Sequence, residues 1–149
     1  MTREREMPRA AKILGAAATA PFVLGTLGFW LLPADAAGHA LDAQVFYGVT
    51  ALTFLGAVHW GTAIVDGRNP GRLWRRLGWS MLPGLIAWMA ALMTAVPMLV
   101  TLMVGIGVCH LVDLRARDRG ELPVWYLALR RWTTAVAVLS LGASLLRLV

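Results

Sequence analysis

Long apolar stretches without a single lysine or arginine alternate with short basic segments along the chain. A helix of roughly 20 residues crosses a bilayer core of about 30 Å, and each apolar stretch approaches or exceeds that length. The pattern therefore predicts five transmembrane helices, at about residues 13–32, 44–65, 77–95, 97–114 and 125–146. Pro97 separates the third from the fourth, because one uninterrupted helix over residues 77–114 would measure about 57 Å.

The predicted fold class is all-α: a polytopic membrane protein whose five transmembrane helices form one bundle. Residues 1–12 are predicted to form a basic cytoplasmic tail and residues 13–149 the five-helix transmembrane domain. The hydrophobic fraction of 58% exceeds the roughly 45–50% of soluble domains, which supports a location in the lipid bilayer.

The basic residues predict the direction of these helices. All but one of the 14 lysines and arginines fall in three clusters near span ends. The clusters are Arg3, Arg5, Arg9 and Lys12, then Arg68, Arg72, Arg75 and Arg76, then Arg115, Arg117, Arg119, Arg130 and Arg131. Residues 34–43, between the first two spans, carry two acids and no base. Because basic loops stay on the cytoplasmic side, we predict a multi-pass membrane protein with a cytoplasmic N-terminus and a C-terminus on the opposite side.

Several functional classes find no support in the sequence. The net charge of +6 does not indicate a nucleic-acid partner, because the basic residues lie at the ends of apolar spans and not along one face. The single Cys109 excludes a disulfide framework. No nucleophile elbow, phosphate loop or metalloprotease helix occurs, so we predict no catalytic residue and no metal ligand, and the sequence gives no support for enzyme activity.

Two histidines within the predicted spans are candidate cofactor-binding residues. His59 lies about 9 Å from the inner end of the second span, and His110 about 6 Å from the inner end of the fourth. Both rings should therefore lie at a similar depth in the inner leaflet. Each histidine has a glycine three positions earlier, Gly56 or Gly107, which leaves a notch for another helix or a flat ligand.

Two aspartates are candidate hydrogen-bond partners of these rings, because a carboxylate near an imidazole can set its charge or its tautomer. Asp66 lies seven residues after His59, and Asp113 lies three after His110. Three interpretations remain open. The histidines bond to neighbouring helices while the aspartates pair with loop arginines; or the histidines help to bind a quinone or another amphiphile; or they ligate haem or a metal, although no Cys-x-x-Cys-His motif is present.

The second basic cluster, Arg68, Arg72, Arg75 and Arg76, is a candidate site for anionic lipid headgroups. The alternative is that these arginines only fix the orientation of the protein in the membrane.

Four short blocks resemble a known family. They are residues 54–61 (FLGAVHWG), 82–88 (LPGLIAW), 111–115 (LVDLR) and 122–126 (LPVWY). The chain is similar, from about residue 13 to its end, to a five-span bacterial and mitochondrial membrane family of unknown function, relatives of vertebrate transmembrane protein sixty-nine. The resemblance implies a five-span topology and an energy-transducing membrane, and it implies no activity for any residue. Together with the charge pattern, it leads us to predict a protein of the bacterial inner membrane with a periplasmic C-terminus.

The sequence thus favours a small non-catalytic integral membrane protein that serves as an accessory or assembly component of a larger inner-membrane complex, such as a respiratory one. One alternative is a redox protein that binds quinone or haem through His59 and His110. The other is a small transporter or channel, for which paired repeats would be typical. The repeated Gly-x-x-His pattern is too short to indicate such a duplication.

Overall fold

The computed structural model describes residues 6–66 and 70–149, with the side chains of Asp66, Pro70 and Arg72 outside that description. These residues form helices, and the described ranges contain no strand. The helices are α1 (Arg9–Ala17), α2 (Ala20–Leu31), α3 (Ala34–Asp66), α4 (Pro70–Ala91), α5 (Ala95–Asp118) and α6 (Val124–Leu146). The all-α prediction is confirmed.

Three segments of the described chain are long and apolar enough to cross a membrane: Arg9–Leu31, Ala34–Val65 and Ala95–Asp118. The predicted spans at residues 77–95 and 125–146 correspond to α4 and α6, which are not among the three. Each of these two helices contains a pair of adjacent arginines near its N-terminus, and this lowers its mean hydropathy. The count of five spans is therefore not confirmed by length and composition.

The first span consists of two helices, because the chain deviates from regular helix between Ala17 and Ala20. The Thr19 hydroxyl donates to the Ala16 carbonyl oxygen at 2.8 Å. Pro21 then occupies the first turn of α2, where its missing N–H breaks no helical hydrogen bond. A sequence of small residues with a proline thus joins α1 to α2 without a loop.

Helix α3 begins at Ala34, well before the second predicted span, and includes the residues expected in an outer loop. Asp35 lies in its first turn, where a negative charge interacts favourably with the positive end of the helix dipole. At 33 residues, α3 measures about 50 Å, longer than a bilayer core. His39 is therefore helical, and its exposed ring places Nδ1 2.9 Å from the Asp35 carbonyl oxygen.

The helices pack around α3, which contacts α2, α4, α5 and α6. The five largest of the fully buried apolar side chains come from three different helices: Leu52, Leu99, Leu102, Ile106 and Leu141. Large apolar side chains also cover the outside of the bundle, as Phe54 at 68% and Leu139 at 72% exposure illustrate. An exterior of this kind is suited to lipid and not to water.

Glycine allows α3 and α4 to approach closely. A Cβ added to Gly56 would overlap the carbonyl oxygen of Ser80 and lie 3.1 Å from Cγ of Pro83. The notch predicted before His59 is thus filled by α4. The corresponding notch at Gly107 is open, because a Cβ there would meet nothing within 4 Å in the described part of the protein.

The end of α5 is set by its local sequence. Gly120 has a φ of 74°, a left-handed conformation that suits glycine. Its amide donates to the Arg117 carbonyl at 2.7 Å, and the Glu121 amide donates to the Ala116 carbonyl at 3.0 Å. This pair of bonds is the Schellman arrangement. Pro123 then occupies the N-cap position of α6.

Candidate functional site

Three ionisable side chains from three helices meet inside the bundle. His59 of α3 lies with Nε2 2.9 Å from Oδ1 of Asp113 on α5. Arg130 of α6 donates from Nε to the other carboxylate oxygen, Oδ2, at 2.8 Å. The three residues are 5%, 2% and 5% exposed, respectively. We call His59, Asp113 and Arg130 the buried triad.

Hydrogen-bond chemistry defines the tautomer of His59. An ionised carboxylate accepts hydrogen bonds and donates none, and Arg130 already donates to one of its oxygens. The bond to the second oxygen therefore requires a proton on Nε2 of His59. The negative charge of Asp113 balances the positive charge of Arg130, so the triad is neutral overall when the imidazole is neutral. Charges in a bilayer interior are expensive unless they are paired in this way.

The hydrogen-bond partners of Asp113 in the structure differ from the partner that the sequence predicted. Asp113 was expected beside His110 on its own helix, yet its two oxygens bond to His59 and Arg130. His110 is partly exposed, and its Nδ1 atom is buried without a hydrogen-bond partner in the described part of the protein. No described hydrogen bond joins the two histidines. The other expected partner, Asp66, has a side chain outside the described residues.

Arg130 is the member of the triad that the sequence analysis missed. It was counted with the basic residues of a cytoplasmic segment, whereas it lies within α6 and is buried. Arg131, its neighbour in sequence, is exposed. The available signal was spacing: buried residues of α6 lie three, four or seven positions apart, on one face of the helix, as do Leu127, Arg130, Ala137, Leu141 and Ser144.

A second buried polar cluster links α2, α3 and α6. The Gln44 amide nitrogen donates to the Phe22 carbonyl at 2.9 Å and to the Thr26 hydroxyl at 2.7 Å. The Ser144 hydroxyl donates to the Gln44 side-chain oxygen at 2.7 Å. Gln44 and Ser144 are both fully buried, at 0% exposure. Because both amide hydrogens and the amide oxygen of Gln44 have partners, this cluster serves packing.

The candidate lipid-binding arginines are not equivalent. Arg75 is exposed, whereas Arg76 is buried with Nη2 2.7 Å from Oε1 of Glu121. That ion pair ties α4 to the connection between α5 and α6. Arg68 and the side chain of Arg72 lie outside the described residues. A headgroup site at this cluster therefore stays a prediction.

The described histidine, cysteine and acidic side chains include no group of three that could hold a metal ion. The triad offers a metal one imidazole and one carboxylate, and the third side chain is a guanidinium, which is a donor and not a ligand.

Fold and site together define an all-helical protein with long apolar helices, an apolar exterior and buried polar clusters between helices. These are the features of a multi-pass membrane protein. The chain belongs to DUF3429, a family described as proteins of unknown function, whose model matches residues 7–146. The resemblance inferred from the four sequence blocks is thereby confirmed.

A curated relative extends the comparison to vertebrates. The chain is 35% identical over 146 residues to "Transmembrane protein 69" of Xenopus tropicalis. The aligned region covers 95% of this chain and 56% of the relative, so the chain spans about half the length of that protein. No solved structure matches the chain.

Proposed function

We propose that this protein is a small non-catalytic component of the bacterial inner membrane that acts as an accessory or assembly factor of a larger membrane complex, such as a respiratory one. The observation that carries the proposal is the pairing of Asp113 with two other helices. Both Asp113 oxygens are engaged by neighbouring helices, so the best candidate for acid–base chemistry serves instead to join α3, α5 and α6. The exterior of the bundle offers apolar surface for lipid or for the helices of a partner.

The proposed topology is five crossings with a cytoplasmic N-terminus and a periplasmic C-terminus. Helix α6 has 23 residues, about 35 Å, and packs along α5 after a short connection. A helix packed against a membrane-spanning neighbour must occupy similar depth in the bilayer. Asp113 neutralises Arg130, one of the two adjacent arginines that lower the mean hydropathy of α6. This lowers the free-energy cost of placing α6 in lipid. Helix α4 packs along α3, and the same argument supports its crossing.

Site-specific photo-crosslinking in cells tests the accessory role. A photoreactive amino acid would replace, one at a time, Phe54 on α3, Trp88 on α4 and Leu139 on α6, all of which are exposed. A helix face that binds a partner should give a discrete adduct with one membrane protein, while lipid-facing positions give none. Purification in mild detergent should recover the same partner. Recovery of free monomer, with no adduct from any helix, would contradict the proposal.

A second candidate function is redox chemistry with His59 and His110 as cofactor-binding residues. One observation favours it: Nδ1 of His110 is buried and lacks a hydrogen-bond partner within the described residues. An absorbance spectrum of the purified protein tests this role. A Soret band that His110→Ala abolishes, or a quinone that this variant fails to retain, would support it. A featureless spectrum and no extracted quinone would exclude it.

A further inference from the structure

A cavity of about 410 Å³ lies beside the triad, between the N-terminal helices, α3 and α6. Its size is within the range of small-molecule sites, roughly 300–1,000 Å³. Most of its lining is apolar, and includes Phe22, Ala51, Leu55, Ile106, Leu129 and Ala137. Arg130 also lines the cavity and is its one cationic side chain among the described lining residues.

Arg130, which lines this cavity, has an unused hydrogen-bond donor. Its Nε atom is bonded to Asp113, but its buried Nη2 atom has no hydrogen-bond partner within the described residues. A buried donor without an acceptor costs free energy, and most such groups in proteins are paired. The arginine is 95% buried in the bundle, because its exposure is 5%. An acceptor supplied by a ligand would remove this cost.

Charge balance restricts the chemistry of that acceptor. Asp113 already compensates the guanidinium, so an anionic ligand would add an unpaired negative charge inside the bundle. An uncharged carbonyl oxygen accepts a hydrogen bond without this penalty. The remaining walls of the cavity favour an apolar body attached to that carbonyl.

We propose that this cavity binds a neutral, lipid-soluble molecule that carries a carbonyl oxygen, and that the guanidinium of Arg130 donates a hydrogen bond to that oxygen. Two sources have this chemistry: the ring carbonyl of a quinone and the ester carbonyl of a membrane glycerolipid. The site differs from the one predicted at His59 and His110, since its donor is Arg130. It is also independent of the accessory role, which requires no ligand.

Binding in nanodiscs distinguishes the two sources. The full-length protein would be reconstituted in ester-linked phosphatidylcholine or in the ether-linked analogue of equal chain length, which has no carbonyl. Retained lipid would be counted by native mass spectrometry, and radiolabelled decylubiquinone would be titrated into the ether-lipid discs. Retention of ester lipid but not ether lipid indicates a glycerolipid. Saturable binding of decylubiquinone indicates a quinone. Either result supports the proposal.

Two variants test the site itself. Ala51→Phe fills the cavity without touching the triad, and Ala128→Phe makes the same change at an exposed position of α6 that does not line the cavity. We expect Ala51→Phe to reduce probe retention at least tenfold and Ala128→Phe to leave it unchanged.

The donor itself is removed in the double variant Asp113→Asn, Arg130→Met, which keeps the interior neutral and leaves no N–H on the side chain at position 130. We expect the same loss of retention from this protein, with its folding checked by thermal unfolding. The proposal is overturned if neither probe binds the wild type, if Ala51→Phe retains either probe as the wild type does, or if the retained molecule is an anion.

Discussion

Asp113 and Arg130 are 17 positions apart in the chain, and their side chains meet 2.8 Å apart between α5 and α6. His59 approaches the same carboxylate from α3, so one acidic residue joins three helices. Such a contact constrains both the depth and the rotation of each helix, because a shift of one turn would leave a charge unpaired. The triad is therefore the feature that fixes how these three helices pack.

Removing the carboxylate should be costly. Asp113→Leu leaves Arg130 charged and unpaired in the interior, and loss of one partner of a buried ion pair costs about 3–5 kcal/mol. We expect a correspondingly large drop in stability to denaturation by SDS titration in detergent micelles. The double variant Asp113→Leu, Arg130→Met should recover much of the loss, because it removes both charges. If the double variant were less stable than the single one, charge pairing would not be the cause.

Replacing His59 separates its hydrogen bond from its volume. Gln donates an N–H from a similar position, whereas Leu donates none, so His59→Leu leaves Oδ1 of Asp113 without its described donor. We expect His59→Leu to lose about 1–3 kcal/mol and His59→Gln to lose less, measured in the same unfolding assay. Equal losses from the two substitutions would show that packing and not hydrogen bonding matters at this position.

The second polar cluster should also contribute to stability. Gln44→Leu removes the acceptor of Ser144 and the donor to Phe22, and an unsatisfied buried group costs about 1–3 kcal/mol. Adding Ser144→Ala to Gln44→Leu should recover part of the loss, because the orphaned hydroxyl is removed. A matched surface control is Thr53→Val, an exposed threonine on the same helix, which should change stability little. A similar loss from the control would point to a general effect of substitutions in α3.

The close packing of α3 on α4 can be tested by substituting Gly56 at the contact and a second glycine of α3 as a control. Gly56→Ala places a methyl group against Ser80 and Pro83, and we expect a loss of about 1–3 kcal/mol as the helices separate. Gly61→Ala makes the same change five residues later, where a Cβ would meet nothing within 4 Å among the described residues. Since alanine favours helix over glycine by about 1 kcal/mol, this control should be neutral or stabilising. Two equal effects would contradict the observed packing.

The proposed topology can be checked by cysteine labelling. In a Cys109→Ser background, a single cysteine would replace Asp35 or Asp118, which are exposed at the ends of α3 and α5. A membrane-impermeant maleimide should label position 35 in intact spheroplasts. Position 118 should react only after lysis, because it is predicted to face the cytoplasm. The reverse pattern would invert the topology.

Local properties of the chain were readable without a structure. The apolar stretches correctly indicated an all-helical membrane protein. The start of α3 was missed, because residues 34–43 are small and polar enough to resemble a loop although they form helix. Hydropathy reports the tendency of a segment to enter lipid. It does not report where a helix ends, because a helix can continue beyond the lipid.

The sequence by itself determined the class of the protein, because hydropathy depends on residues that are neighbours in the chain. It also indicated His59 and Asp113 as candidate site residues, because they are ionisable residues in or beside apolar spans. Only the tertiary structure decided what those residues do. The triad links positions 54 and 17 apart, and the Gln44–Ser144 bond links positions 100 apart. Which carboxylate an arginine such as Arg130 meets depends on which helix packs beside it. That choice is made by the sum of all contacts in the bundle, and no local pattern contains it.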